Sequence, residues 1–228
     1  MLELYQKDCL IQSKSFGLFP QTPGLNQAKK SIIAKYIILN YFIFTEMAEV
    51  KNFKPVKLIC GIIYSREEIK VAAEKVLSDN FGPPDLKSQS FPFNFTDYYQ
   101  SQMGKDLYRS FLSFEKLTKP EQLPEIKLRT NQLEAEFRFS FPDLERPVNL
   151  DPGYLTASAL IMATAKDFAH RIPLGLGIYA HLELLFTRKG VKILEWTYPD
   201  FHQSGYQEFF LRVREKYLVQ LKGLPETD

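Results

Sequence analysis

Residues 54–64, KPVKLICGIIY, form a near-continuous apolar run after Pro55. Such runs suit a strand buried on both faces. Val56, Leu58, Cys60, Ile62 and Tyr64 fall on one face by the period of two. Gly61 falls on the other, where a missing side chain lets neighbouring backbone come close. Ser65 and Glu68 then have capping-box spacing, which predicts a helix start. Ile69, Ala73, Val76 and Leu77 give that helix its apolar stripe, and Gly82 followed by Pro83 and Pro84 stops it. LYRSFLSFEKL (107–117) reads as a second strand, and a short one is allowed near 88–93. Thr118 and Glu121 repeat the capping spacing, and Leu123, Ile126, Leu133 and Phe137 form the next helical stripe. RPVNL (146–150) reads as a short strand that leads into Asp151-Pro152-Gly153, a tripeptide with turn chemistry. TASALIMATA (156–165) reads as a short buried helix. IYAHLELLF (178–186) alternates well and pairs through TRKG with VKILEW (191–196) as a hairpin. A last helix begins at Ser204, with Gln207 in the box position, and ends at Gly223.

This order predicts an α+β fold: one domain over 47–228, with a mainly antiparallel sheet covered by helices. A ferredoxin-like core with an added C-terminal hairpin and helix is the topology it suggests. Residues 1–46 look different. From Cys9 to Thr45 there is no Asp or Glu, and 32–44 read IIAKYIILNYFIF. That run is too short for a spanning helix, which needs about 20 apolar residues. A signal peptide is the sharper alternative, with Lys29 and Lys30 as its basic region, but TEMAEV offers no convincing cleavage site. The stretch reads best as an N-terminal extension outside the domain, with Met47 as the functional start.

Composition changes little in this picture. The chain has 228 residues, 45% hydrophobic and 25% charged, with 19 Phe and 12 Tyr, so aromatic packing should dominate the interior. The formal net charge is +2. All of that excess lies in residues 1–46, so the main body is balanced and offers no global footprint for nucleic acid. Two cysteines, Cys9 and Cys60, make no disulfide framework and no metal-type spacing. A reducing, cytoplasmic setting without membrane attachment is expected.

Chemistry concentrates in four segments that mix polar groups with aromatics: FPFNFTDYY (91–99), NLDPGY (149–154), KDFAHR (166–171) and WTYPDF (196–201). In KDFAHR, a helical conformation would put Asp167 and His170 on one face, where a carboxylate can orient an imidazole. The plainer reading has Lys166, His170 and Arg171 complementing a helix C-terminus. TDYY supplies Asp97 as a carboxylate among phenols, or as a turn residue. Asp151 in NLDPGY is a base or metal ligand at a strand end, or the side chain that holds the turn. His181 and Glu183 read as an exposed polar face, with a metal site as the sharper alternative. Trp196 and Tyr198 read as packing at the core edge. Arg109, Lys127, Arg129, Arg146 and Arg171 are scattered in sequence but would suit a phosphate if they converged.

The region from Lys54 to Leu221 resembles a prokaryotic family of unknown function, the domain-of-unknown-function family numbered four-four-one-six. KPVKL (54–58), TDYY, MG (103–104), FLSFE (111–115), IKLRTNQLE (126–134), NLDPGY, KDFAHRI, GIYA (177–180) and WTYPDF carry the resemblance. It implies a small cytoplasmic protein whose relatives begin near Met47. Some relatives bear the label GTP-binding protein. This chain has no G-x-x-x-x-G-K-[ST] loop, so a phosphate cradle of that type is missing.

These readings lead to one expectation and one alternative. The expectation is a site for a phosphorylated small molecule or nucleotide. Asp97, Asp151 and His170 would be its acid–base or metal-binding groups, and Lys166, Arg109, Arg171 and Tyr154 its substrate contacts. No cofactor is identified by any motif. The alternative is a non-catalytic interaction or regulatory protein, marked by an exposed apolar patch rather than a pocket.

Overall fold

The structure, a computed structural model, describes residues 51–96 and 98–224. The N-terminal extension and Asp97 therefore lie outside the described residues. Everything described from Asn52 onward belongs to one unit. Among the described residues no helix is long and apolar enough to cross a membrane.

Among the described residues, nine strands make one antiparallel sheet. In chain order they are β1 (Val56–Tyr64), β2 (Pro84–Lys87), β3 (Phe91–Pro92), β4 (Tyr108–Thr118), β5 (Val148–Leu155), β6 (Ala159–Thr164), β7 (Ile172–Gly175), β8 (Ile178–Thr187) and β9 (Gly190–Ile193). Across the sheet the order is β2-β4-β1-β5-β6-β8-β7, with β3 also on β4 and β9 also on β8. The α-helices of the described residues are α1 (Glu67–Phe81), α2 (Gln100–Met103), α3 (Leu123–Ser140) and α4 (Ser204–Lys222). The α+β class is as the pattern predicts. The stretch β2-β4-β1-β5, all antiparallel, with α1 between β1 and β2 and α3 between β4 and β5 on one face, is the strand order of the expected ferredoxin-like core, and β6 to β9 extend the sheet beyond β5.

The apolar run of β1 is buried throughout because both faces are covered. Leu58, Cys60, Ile62 and Tyr64 pack against Ile69, Ala73 and Leu77 of α1 and Leu133 and Phe137 of α3. Ile59 joins the opposite face, where Phe111, Leu155, Leu160 and Leu184 meet Phe209, Phe210, Val213 and Tyr217 of α4. Phe111 sits among Phe201, Tyr206, Phe209 and Phe210, with ring centroids 4.7–6.0 Å away, so the aromatic excess in the composition is spent here.

Several local expectations are corrected. TASALIMATA is not a helix; it contributes β6, paired with β5 and β8. Asp151-Pro152-Gly153 is not a turn; β5 runs straight through it in register with β1. The helix stop signals fall as expected, but the capping boxes do not form. Arg66 is the N-cap of α1 and makes no side-chain cap bond. Gln122, not Glu121, closes the turn before α3, accepting from Thr118 Oγ1 at 2.7 Å and Lys119 N at 3.2 Å. Gln207 in α4 donates to the carbonyls of Phe201 and His202 instead of accepting from an N-cap amide.

Candidate functional site

The position of the site follows from a seam in the sheet. β5 pairs with β1 along its whole length, but with β6 only at Gly153–Leu155. Pro152 has no N–H to continue that ladder. The strand period puts the backbone groups of Leu150 on the same, unpaired side as those of Pro152. Exposed strand edges need partners, and α3 supplies them. Glu134 accepts from the Leu150 amide at 2.8 Å, and Lys127 Nζ donates to the Leu150 carbonyl at 2.8 Å. Where β5 and β6 part, a cavity of about 500 Å³ opens.

All four signature segments reach this cavity: Tyr98 and Tyr99 from the first, Asn149 and Asp151 from the second, Lys166 from the third and Tyr198 from the fourth. Arg109, Lys127, Asn131, Arg146 and His181 also line it.

A charge network forms its floor. Arg109 is buried and donates to Asp200 at 2.5 Å and to Asp151 at 3.1 Å. Its guanidinium lies over the rings of Phe93, Phe111 and Phe201 at 4.9–5.8 Å. Burial opposes the charge, but the two carboxylates outweigh it and raise the Arg109 pKa further. Asn149 Nδ2 donates to the same Asp151 oxygen, Oδ2, at 2.8 Å. Among the described residues Asp151 Oδ1 has only Lys127 nearby, at 3.8 Å, and the Asp151 side chain keeps 26% of its surface exposed. Arg146 pairs with Glu134 at 2.8 Å, donates to Asn149, and stands 5.3 Å from the Tyr99 ring centroid. Burial raises the Glu134 carboxyl against the pull of Lys127 and Arg146.

Gly61 permits the Arg109–Asp151 contact. It pairs with Phe111 on one side and Asp151 on the other. A Cβ there would come within 3.1 Å of Arg109 Nη2. The expected close approach at this glycine is real, but what approaches is a guanidinium rather than backbone.

A second cluster stands at the rim. His181 and Glu183 are buried, not an exposed polar face. The segment 194–201 covers them, since Trp196 Nε1 donates to the Leu182 carbonyl and Thr197 Oγ1 to the Glu183 carbonyl. Glu183 Oε1 accepts from the Tyr198 amide at 2.7 Å, and Oε2 lies 3.1 Å from His181 Nε2, close but misaligned for a hydrogen bond. His181 Nδ1 is 3.2 Å from both Arg171 Nε and His170 Nε2. Because Arg171 can only donate, Nδ1 accepts. Arg171 also donates to Tyr198 Oη at 2.6 Å and to the Lys166 carbonyl at 2.7 Å.

The sequence candidates therefore separate. Asp151, Arg109 and Lys166 line the cavity. KDFAHR is a loop between β6 and β7 rather than a helix, so Asp167 and His170 do not share a helical face. His170 stacks on Trp196 at 5.0 Å and reaches the cavity only through His181. Desolvation, then His181 and Arg171, lower its pKa. Arg171 stands behind the wall that His181 and Tyr198 form. Tyr154 points elsewhere, packed with Leu123, Ala163 and Ile178. Of the scattered cations, Arg129 stays outside, paired with Glu136 and Asn80. Sequence reading missed Asn131 and Glu134. The available signal was Lys127, Asn131 and Glu134 at i, i+4, i+7, a polar stripe on α3 that faces the sheet. Among the described residues, no group of three His, Cys, Asp or Glu side chains is arranged to hold a metal ion.

No curated protein and no solved structure matches the chain. A family model described as "Domain of unknown function (DUF4416)" matches residues 54–217, which include every described residue of this cavity and its charge network. The chain belongs to that family.

Proposed function

We propose that the cavity between β5 and β6 binds a phosphorylated small molecule of about nucleotide size. The observation that carries this reading is convergence. Four segments spread over 91–201 meet at one hollow where a half-open carboxylate stands among cations and aromatic rings. The volume lies within the range usual for small-ligand pockets. Asp151 is the acid–base candidate: Arg109 and Asn149 fix one of its oxygens and leave the other facing the cavity. Asp97 belongs to the lining segment and keeps its candidate role. His170 acts through His181 in this reading. A cytoplasmic setting accords with Cys60, a free buried thiol whose pKa burial raises.

The test is a thermal-shift screen of phosphorylated metabolites and nucleotides on the full chain, followed by calorimetry. A binder should raise the Tm in a concentration-dependent way. Asp151→Asn should weaken that binder at least tenfold. A screen with no stabilising phosphorylated compound would reject the reading.

One observation favours the alternative of an interaction protein. Phe168, Ile172 and Leu176 are each more than 60% exposed around β7, an edge strand. Light scattering on the purified chain would reveal self-association through this strip, and Ile172→Lys should abolish it.

A further inference from the structure

Resting on the reading above, a charge balance fixes which way round a ligand lies. At the floor, three cations (Arg109, Lys127 and Arg146) meet three carboxylates (Asp151, Asp200 and Glu134). Their donors are largely committed: Arg109 to two carboxylates, Arg146 to Glu134 and Asn149, Lys127 to a backbone carbonyl. A phosphate pushed to this depth would lose its hydration and meet no uncompensated positive charge. What the floor does offer is an acceptor, Asp151 Oδ1, which takes no hydrogen bond from any described residue. That oxygen selects an uncharged group bearing N–H or O–H.

The rim is the opposite. Lys166 is exposed, with its ammonium 4.7 Å from the Tyr98 ring centroid. The Arg171 guanidinium bonds only neutral acceptors: His181 Nδ1, Tyr198 Oη and the Lys166 carbonyl. Among the described residues neither cation has a carboxylate within salt-bridge distance. Both sit on the β6–β7 loop, where Lys166 lines the cavity and Arg171 backs its wall. Between rim and floor the accessible rings are Tyr99, half-buried, and Tyr198, exposed, which suit a stacked heterocycle better than a flexible chain.

We infer that the cavity takes a nucleoside phosphate ring first, with a donor edge of the base at Asp151 and the phosphate at Lys166. Arg109 and Lys127 are then positioning residues for Asp151 rather than phosphate contacts.

Calorimetry on the full chain with the four common ribonucleoside monophosphates, their nucleosides, ribose 5-phosphate and inorganic phosphate separates the outcomes. The expected result has three parts. One nucleotide binds on the order of ten- to a hundredfold more tightly than its nucleoside. In Lys166→Ala that advantage falls to about threefold or less, while nucleoside affinity holds. In Asp151→Asn, nucleoside and nucleotide weaken by the same factor. The inference is overturned if the phosphate advantage survives in Lys166→Ala, or if ribose 5-phosphate or phosphate alone binds as tightly as the nucleotide. It is also overturned if only a non-nucleotide phosphate from the wider screen binds, a result that leaves the broader reading standing. Silence from every phosphorylated compound removes both.

Discussion

Arg109 reaches Asp151 across a strand that belongs to neither of them. The guanidinium leaves β4, passes over Gly61 of β1, and donates to the Asp151 carboxylate on β5 at 3.1 Å. The contact needs a strand without a side chain between its ends. Gly61→Ala would place a methyl 3.1–3.2 Å from Arg109 and Phe111. Overpacking of this kind costs about 1–3 kcal/mol, more than the few tenths to 1 kcal/mol gained by replacing glycine in an unstrained conformation. Urea denaturation should show a net loss. An unchanged midpoint would mean that the guanidinium has room to spare.

Gly153→Ala should be worse. Its Cβ would stand 2.5 Å from the Ile161 carbonyl oxygen, which is backbone and cannot swing aside. The last paired residues of the β5–β6 ladder would have to part. The same denaturation series should rank Gly153→Ala well below Gly61→Ala in stability.

Removing one partner of the buried pair leaves a charge without compensation. Arg109→Met strips both Asp200, whose side chain is 5% exposed, and Asp151 of their shared cation. A loss of about 3–5 kcal/mol is expected. Arg109→Met combined with Asp200→Leu should recover part of it, and a double-mutant cycle measures how much.

The seam makes its own prediction. Glu134→Leu orphans the Leu150 amide and frees Arg146. The cost expected is about 1–3 kcal/mol for the amide alone. Hydrogen exchange at Leu150 should quicken more than at Ile62 of β1, which sits opposite in the intact ladder.

Away from the site, Asp85 sets part of the acid limit. Burial alone would raise its carboxyl, but Lys57, Ser113 and Lys216 hold it below the usual carboxylate range. A depressed folded-state pKa stabilises above the unfolded value, and the contribution is lost as pH falls through the folded one. Wild-type stability should therefore decline below about pH 4, and Asp85→Asn should show a lower plateau with a flatter decline.

The long elements were legible because their periodicity was undisturbed: β1, α1, β4, α3, β8 and α4 all lie where the pattern puts them. The failures share a cause. β6 carries Ala, Leu and Met buried on both faces, so it shows no alternation, and alanine-rich composition favours a helix until sheet neighbours override it. Pro152 and Gly153 have turn chemistry, yet here one ends a ladder and the other admits a neighbouring carbonyl. The faces of His181 and Glu183 were readable, but the covering by residues 194–201 was not, because it comes from chain well downstream. Convergence of the four polar segments was an expectation that strand order alone could decide.

The parting of β5 from β6 has one more implication. Two sheet halves zipped by main-chain bonds can separate only by breaking a row of them together. Here, where β6 has parted from it, the edge of β5 at Leu150 is held by two long, jointed side chains from a helix. The lips of the hollow can thus adjust by small rotations about Lys127 and Glu134, with no strand unzipping. A visitor's shape can be accommodated at little cost to the rest of the fold.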